Sequence, residues 1–518
     1  MKKGIAFTGF WVAVFICHAF SQTMISPNPL SGLPSPEGAS IASIRAMADN
    51  SVLDLGMPAA DPVWGRQHGA AYSEKSLIYA PSLRGFFKTG EGDHASVKAN
   101  GFGQDDVFFY DINAHRWICL YPGTDTRNFN TLVANGSLRV DSNGQAVDTT
   151  GQPVPGHLLI HAWGFLAYDT DQEKFVFCGG PSYQRYYMPG LTLIDSGLKT
   201  LEASGLNAAN KFFCPWAYNA LTGRFERELT AEQRAAPDVG GFGQFLYVPS
   251  KKKFFLAANQ GVTYFDPATR TWSPMVTDST HPKDWSYDFG ACHDSKRDRI
   301  YMGQNADNFY WYDVATGKWT KIANPNSYTC RFRSVYGAIV YDSQNDKVLI
   351  FSWTQNDGRA GDHVVYPLDP ETNTWDAPLT FAGVFSVTYP TFAAGYDPEL
   401  GVTFIFTAGD SRDNGVMSAY CFKQATGAEK GVAGVQDGAL SAAPNPFNPE
   451  VSITLTGSLA RGATLKVYDL SGRLVADLSG KIRDNRAVWN AAGHASGMYL
   501  VAAKGKGLSK TDKIIYTK

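Results

Sequence analysis

The strongest constraint in this chain is a recurring turn. A bulky residue precedes Asp, a Pro/Thr-type turn follows, and Trp stands six residues after the Asp. It reads Tyr110-Asp111 to Trp117, Phe265-Asp266 to Trp272, Tyr312-Asp313 to Trp319 and Leu368-Asp369 to Trp375, with a weaker copy from Tyr218-Asn219 to Phe225. Asp or Asn opening a turn bonds the backbone two residues on, and Pro267 or Pro370 presets the next φ. Upstream of each copy lies a strand ending near Tyr-Asp, a charged turn and a strand rich in aromatic and β-branched residues. The instances run from Tyr72 to Tyr79, Tyr168-Asp169 to Cys178, Tyr247 to Leu256, His293-Asp294 to Met302, Tyr341-Asp342 to Phe351 and Tyr396-Asp397 to Phe406. Two hairpins per unit make a four-stranded sheet, so the pattern predicts an all-β fold with six units between Ser51 and Gln424.

Successive anchors at Tyr247, His293, Tyr341 and Tyr396 lie 46, 48 and 55 residues apart, close to the period of about 50 of kelch repeats. The stretch resembles the kelch and galactose-oxidase central-domain propellers, in which a Gly-Gly pair ends the second strand and Tyr-Asp…Trp closes the third. Only Gly179-Gly180 keeps the glycine pair; elsewhere Ala258-Asn259, Gly303-Gln304 or Ser352-Trp353 stands there. The resemblance implies a six-bladed kelch-like β-propeller over residues 51–424. In the sixth unit Glu429 occupies the Trp position after Tyr420-Cys421-Phe422, so the outer strand is missing. Ser51 to Leu55 has the alternation to replace it, and a ring closed by its own N-terminus leaves no long open edge.

The ends of the chain read differently. Lys2 and Lys3, an apolar run from Ile5 to Ile16 and Ala19-Phe20-Ser21 have the order of a signal peptide over residues 1–21. The run is shorter than the roughly 20 residues that cross a bilayer, and no transmembrane segment is expected. A Pro/Ser-rich segment, 22–50, precedes the propeller, and a Gly/Ala-rich linker, 425–443, follows it. Residues 444–518 show short alternating strands, as in a small Ig-like β-sandwich. Pro444-Asn445-Pro446-Phe447-Asn448-Pro449, Val467-Tyr468-Asp469-Leu470-Ser471-Gly472-Arg473, Ser496-Gly497-Met498-Tyr499 and Lys513-Ile514-Ile515 together resemble the C-terminal sorting domain of type IX secretion substrates. Flagellar hook-cap immunoglobulin-like domains share much of this pattern, which leaves a plain sandwich module as the alternative. The sorting resemblance implies the type IX secretion machinery as partner and a secreted or cell-surface location after passage through the periplasm.

A net charge of -2 without a Lys/Arg block excludes a nucleic-acid binder. Past the signal, six cysteines remain, and Cys178 with Cys214, flanking one long loop, is the expected bridge. No metal or cofactor is expected. His157 and His161 fall in a strand-like stretch, where the rise separates them by roughly 13 Å. Asp141-Ser142-Asn143-Gly144 lacks the Glu of a calcium loop and reads as a hairpin turn. The loops expected on one face carry Arg185, Tyr186, Tyr187, Trp285, Arg331, Trp353 and Arg412. Arginines with aromatic rings suit planar anions and sugar faces. Trp117, Trp272, Trp319 and Trp375 are expected between the blades. Two function classes remain: a binding protein for a glycan, possibly acidic, or for a protein; and a glycan-active lyase, epimerase or glycosidase using the same face.

Overall fold

Nearly every hairpin of the main unit turns on one device, a side-chain acceptor at the turn opening and a left-handed residue four places on. The computed structural model describes residues 28–65, 75–89, 106–121, 139–140, 146–147, 164–178, 215–227, 243–283, 285, 290–305, 307–324, 339–353, 363–381, 392–408, 415–423, 440–455, 463–469, 473–483, 485–505 and 508–518. The fold is all-β and divides into two units, Met1–Gln424 and Ala425–Lys518. Residues 1–21, read as a signal peptide, lie outside the described residues, as do His157 and His161. Arg139–Val140 and Ala146–Val147, on either side of Asp141-Ser142-Asn143-Gly144, pair antiparallel.

The main unit holds six sheets, each with four antiparallel strands side by side; Leu379–Phe381 adds to the fifth, and Lys75–Ser76 pairs parallel with the first strand of the sixth. The first is Ile78–Ala80, Gly85–Thr89, Val107–Asp111 and Arg116–Tyr121, and the second Leu166–Asp169, Lys174–Cys178, Pro215–Asn219 and Arg224–Arg227. The third is Gly243–Val248, Lys253–Ala258, Gly261–Asp266 and Thr271–Trp272, and the fourth Gly290–Asp294, Arg299–Asn305, Asn308–Asp313 and Lys318–Lys321. The fifth is Ile339–Asp342, Lys347–Trp353, His363–Asp369 and Thr374–Trp375. The sixth has Phe392–Asp397, Val402–Ala408 and Gly415–Cys421, and its fourth strand is Ser51–Gly56, in the register Ser51 to Cys421 and Leu53 to Ala419. The outer strand that the repeat lacks thus comes from the other end of the unit. The first strands of successive sheets are neighbours, and that of the sixth neighbours that of the first. Aromatic rings fill the junctions: Trp117 meets Phe406, Trp319 meets Phe255 and Trp375 meets Phe309, with centroids 5.2, 6.4 and 5.3 Å apart.

At the turns, Oδ1 of Asp169 accepts the amides of Asp171 and Gln172, and Asn219, Asp266, Asp294, Asp342, Asp369 and Asp397 repeat this two and three residues on. The chain then passes through positive φ at Glu173, Gly223, Arg270, Asp298, Asp346, Asn373 and Gly401. An L-residue held there costs about 1–2 kcal/mol. At Gly401, with φ +69°, an added Cβ would meet the amide end of Gln344 from the neighbouring turn, which would have to leave its bond to the Pro398 carbonyl.

These turns also tie sheet to sheet. The residue two places after the first-hairpin opening crosses to a neighbour at each of six junctions. Ser82 donates to Glu173, Tyr247 to Asp171 at 2.7 Å and Ser250 to Asp298 at 2.6 Å. Lys296 and Arg297 pair with Asp346, Gln344 donates to the Pro398 carbonyl at 2.7 Å, and Arg84 binds Glu399 at 3.0 Å. Three left-handed positions earn their strain here, because Glu173, Asp298 and Asp346 also take Tyr168, His293 and Tyr341 of their own first strands.

The segment before the repeat touches the second sheet and then braces the junction of sheets six and one. Asn28 donates to the Ala220 carbonyl at 2.7 Å, Ser35 to Asp111 at 2.6 Å, and the helix Ala39–Arg45 buries Ile41 and Ile44 beside Trp117, Leu400 and Phe404. Beyond Gly56, Ala59 bonds along the outer edge of the first sheet and Asp61 accepts the Cys119 amide at 3.0 Å. Both outer edges at this junction are therefore covered.

The C-terminal unit is a sandwich of Leu440–Ala443, Glu450–Leu455 and Arg486–Asn490 on Leu474–Asp477, Thr464–Tyr468, Gly497–Gly505 and Leu508–Tyr516. It begins earlier than the sequence reading, since 440–443, read as linker, pair with 452–455. The Pro-Asn-Pro-Phe-Asn-Pro run seals an edge. Asn445 uses its side-chain amide as a strand would, donating to Lys513 O and accepting from Ile515 N, both at 2.8 Å. Phe447 continues the pairing with backbone bonds to Ile515 and Thr517 and buries its ring against Trp489 and Tyr516. The flanking prolines have no N–H to extend the sheet.

Two outcomes follow from this architecture. Deleting residues 51–56 exposes the edge of Gly415–Cys421, so the variant is expected to aggregate on purification; a melting curve matching the parent's overturns the assignment. Hydrogen bonding by Arg297 holds the Asp346 carboxyl well below the ordinary 3.8. The folded value lies under the unfolded one, so the stabilisation is complete at neutral pH and is lost as pH falls through the folded value. Asp346→Asn is expected to lose about 1.5–3 kcal/mol at pH 7 by urea titration, with a gap to the parent that narrows below about pH 3.

Candidate binding face

The sheets have two unlike ends. At one end the short hairpin turns lock together as described. At the other the chain runs between second and third strands and between sheets, from Thr89 to Val107, Tyr121 to Leu166, Cys178 to Pro215, Trp353 to His363 and Ala408 to Gly415. Only Ala258 to Gly261 and Asn305 to Asn308 are tight there. Long connections at one end of a rigid scaffold are where binding residues concentrate.

Arg185, Tyr186, Tyr187, Arg331, Arg412 and Cys214 lie outside the described residues. Trp353 ends a strand at the loop-bearing end, opposite His363. Cys178 also ends a strand there, opposite Pro215 and thus one residue from Cys214 in sequence. Trp285 corrects the expectation of an exposed platform. Its indole is 2% exposed and packs edge-on to Trp319 at 5.4 Å and against His281 at 5.6 Å. The segment is clamped by Asn259, which donates to the Trp285 carbonyl at 2.7 Å and accepts its amide at 2.8 Å. His281 donates from Nε2 to the Ala258 carbonyl at 2.8 Å, and burial lowers its pKa, so a neutral ring suits this interior position.

The described floor of this end holds two charged groups that the sequence reading passed over. Lys88, in Gly85–Thr89, and Asp106, just before Val107–Asp111, are both 0% exposed. Lys88 stands opposite Phe108, so strand alternation turns it toward the face that meets the sixth sheet. Thr89 fixes the crossing by donating to the Asp106 carbonyl at 2.6 Å. Charges buried this deeply survive only when engaged, as both are. The signal was a Lys at an inward position of Gly85-Phe86-Phe87-Lys88-Thr89.

The comparisons with known proteins bear mainly on the C-terminal unit. No curated protein matches the chain by sequence. Among solved structures, PorZ, an essential bacterial surface component of the type-IX secretion system of Porphyromonas gingivalis, is similar at 15% identity and a TM-score of 0.38, over 88% of this chain. The chain spans 60% of PorZ's length. U3-55K is similar at 6% identity and a TM-score of 0.37, over 75% of this chain and 100% of its own. No helix among the described residues is long and apolar enough to cross a membrane. Residues 441–517 match the family described as the secretion system C-terminal sorting domain, and the chain that carries it is exported to the cell surface or the extracellular space.

Proposed function

We propose that this is an exported binding protein whose six sheets form a kelch-like propeller, presenting its loop-bearing end to an extracellular glycan, most favourably an acidic one. The observation that carries the reading is the asymmetry of the two ends. One is sealed by interlocked turns and the N-terminal brace, so a ligand meets the other, where the long connections lie. The order of first strands, each beside the next and the sixth beside the first, supports the ring. Arg331 and Arg412, with Arg185, are assigned the carboxylates of the ligand. An Arg–carboxylate hydrogen bond contributes about 1.5–3 kcal/mol, enough to separate acidic from neutral sugars. Tyr186, Tyr187 and Trp353 are assigned the stacking surface, without Trp285.

Calorimetric titration with oligogalacturonate tests this. Arg331→Ala or Arg412→Ala is expected to weaken binding about tenfold or more, since a decade corresponds to 1.4 kcal/mol. Equal affinity for acidic and neutral oligosaccharides, or no effect of either substitution, overturns the acidic-glycan assignment. Export is tested separately: a chain lacking residues 440–518 is expected to fold and remain in the periplasm, and its appearance in the medium at parental levels overturns the sorting role.

A further inference from the structure

We propose that the outer face of the sandwich's four-stranded sheet is the surface by which the export machinery holds the sorting domain, and that the machinery offers it a protein surface with an apolar centre and an acidic rim. This rests on the export reading above and adds the docking face and the chemistry of its partner.

The register assembles the face. Leu474 stands opposite Tyr468, Tyr468 opposite Leu500, and Met498 opposite Ile515. Alternation sends their neighbours Val467, Tyr499, Val501 and Ile514 into the core and turns these five outward together. Leu474, Met498 and Ile515 are 45%, 39% and 38% exposed, among the most exposed large apolar side chains of the described residues. Three of the motifs singled out in the sequence meet here, because Tyr468, Met498 and Ile515 are their outward members. The opposite outer face is unlike it: Asn490 donates to Glu450, Arg486 bonds Ser452, and among the described residues Val488 is its one exposed large apolar group.

Charge specifies the partner. Residues 440–518 carry eleven Lys and Arg against five Asp and Glu, while the whole chain is -2. Lys466, Lys504 and Lys513 stand on the same face as the apolar cluster, with Asp477 opposite Lys466 at 3.9 Å as an acid among them. An apolar centre ringed by cations fits an apolar surface ringed by carboxylates. A protein surface fits better than a bilayer, because the apolar groups lie flat in a sheet and include no Trp or Phe to enter the acyl boundary. The edge beside Ile515 is sealed against added strand pairing, so a partner on the Met498–Ile515 side of the sheet meets the face.

The test uses the full chain in the producing bacterium, with Met498→Asp, Ile515→Asp and Lys513→Glu on the face and Val488→Asp on the opposite sheet as control. The expected result is a fall of tenfold or more in the ratio of medium to periplasmic protein for the face variants and parental export for the control. Purified variants should melt with the parent. Face variants that melt normally and are exported normally overturn the inference, as does equal retention of the control. A face variant that fails to melt with the parent is replaced by Leu474→Ser, judged by the same ratio. If the chain lacking 440–518 is itself exported, the export reading has failed; if it is retained while face variants pass, only this inference has. Flotation with phosphatidylglycerol vesicles is expected to show no binding, and binding lost in Met498→Asp overturns the protein partner.

Discussion

The main unit depends on the hydrogen bonds that buried aspartates accept where its sheets meet. Asp397 is fully buried, with its Oδ1 held by Arg84 at 2.7 Å and by the amides of its own turn. Tyr79 donates to it at 3.2 Å, and burial raises the phenol's pKa, which keeps that proton in place. Arg84 comes from the first sheet and Asp397 from the sixth, so this pair spans the point where the chain's sequence order is broken. Breaking such a pair on one side strands a buried charge and costs about 3–5 kcal/mol. The other junctions join sheets that follow one another in sequence, and the ion pair of Arg297 with Asp346 among their crossings leaves its carboxylate 30% exposed. The one with the greatest separation has the buried ion pair, the helix Ala39–Arg45, the strand Ser51–Gly56 and the bonds of Ala59 and Asp61. Reinforcement falls where loop closure is most costly.

Much of this was legible because it is local chemistry. An Asp before a tight turn announces its own hydrogen bonds, so Asp266 and Asp369 fixed their hairpins from sequence alone. The missing outer strand was found by counting, since Glu429 left a vacancy and Ser51–Leu55 had the alternation to fill it. The cross-sheet contact two places after each turn opening was not legible. Ser82, Asp171, Ser250, Lys296, Gln344 and Glu399 share a place in the fold but no common chemistry, and each is matched to whatever its neighbour offers. The helix Ala39–Arg45 was passed over because its case rests on Ile41 and Ile44, whose partners lie at two distant sheets.

The candidate face was the least legible, for a related reason. A Trp in a long connection reads as exposed, yet Trp285 is drawn inside by Asn259, 26 residues earlier, which satisfies both backbone groups and leaves the indole among His281 and Trp319. Lys88 fails in the opposite sense. A lysine reads as a solvent group, but strand alternation places it inward, and only the adjacent sheet makes that position an interior one. Side chains whose surroundings come from other sheets are where composition and pattern stop being informative.

The sandwich separates its roles more cleanly. Within each motif, alternating residues serve different ends: Val467, Tyr499 and Ile514 hold the core, while Tyr468, Met498 and Ile515 face outward. The Pro-Asn-Pro-Phe-Asn-Pro run has a third task. Two strand-like bonds from the Asn445 side chain and two from the Phe447 backbone occupy the edge that Lys513–Thr517 would otherwise offer to another chain. An open edge accepts almost any extended segment, whereas a face with fixed apolar and cationic positions discriminates. With that edge closed, whatever meets this side of the sheet meets its outward side chains, Met498 and Ile515 among them, rather than an unpaired strand.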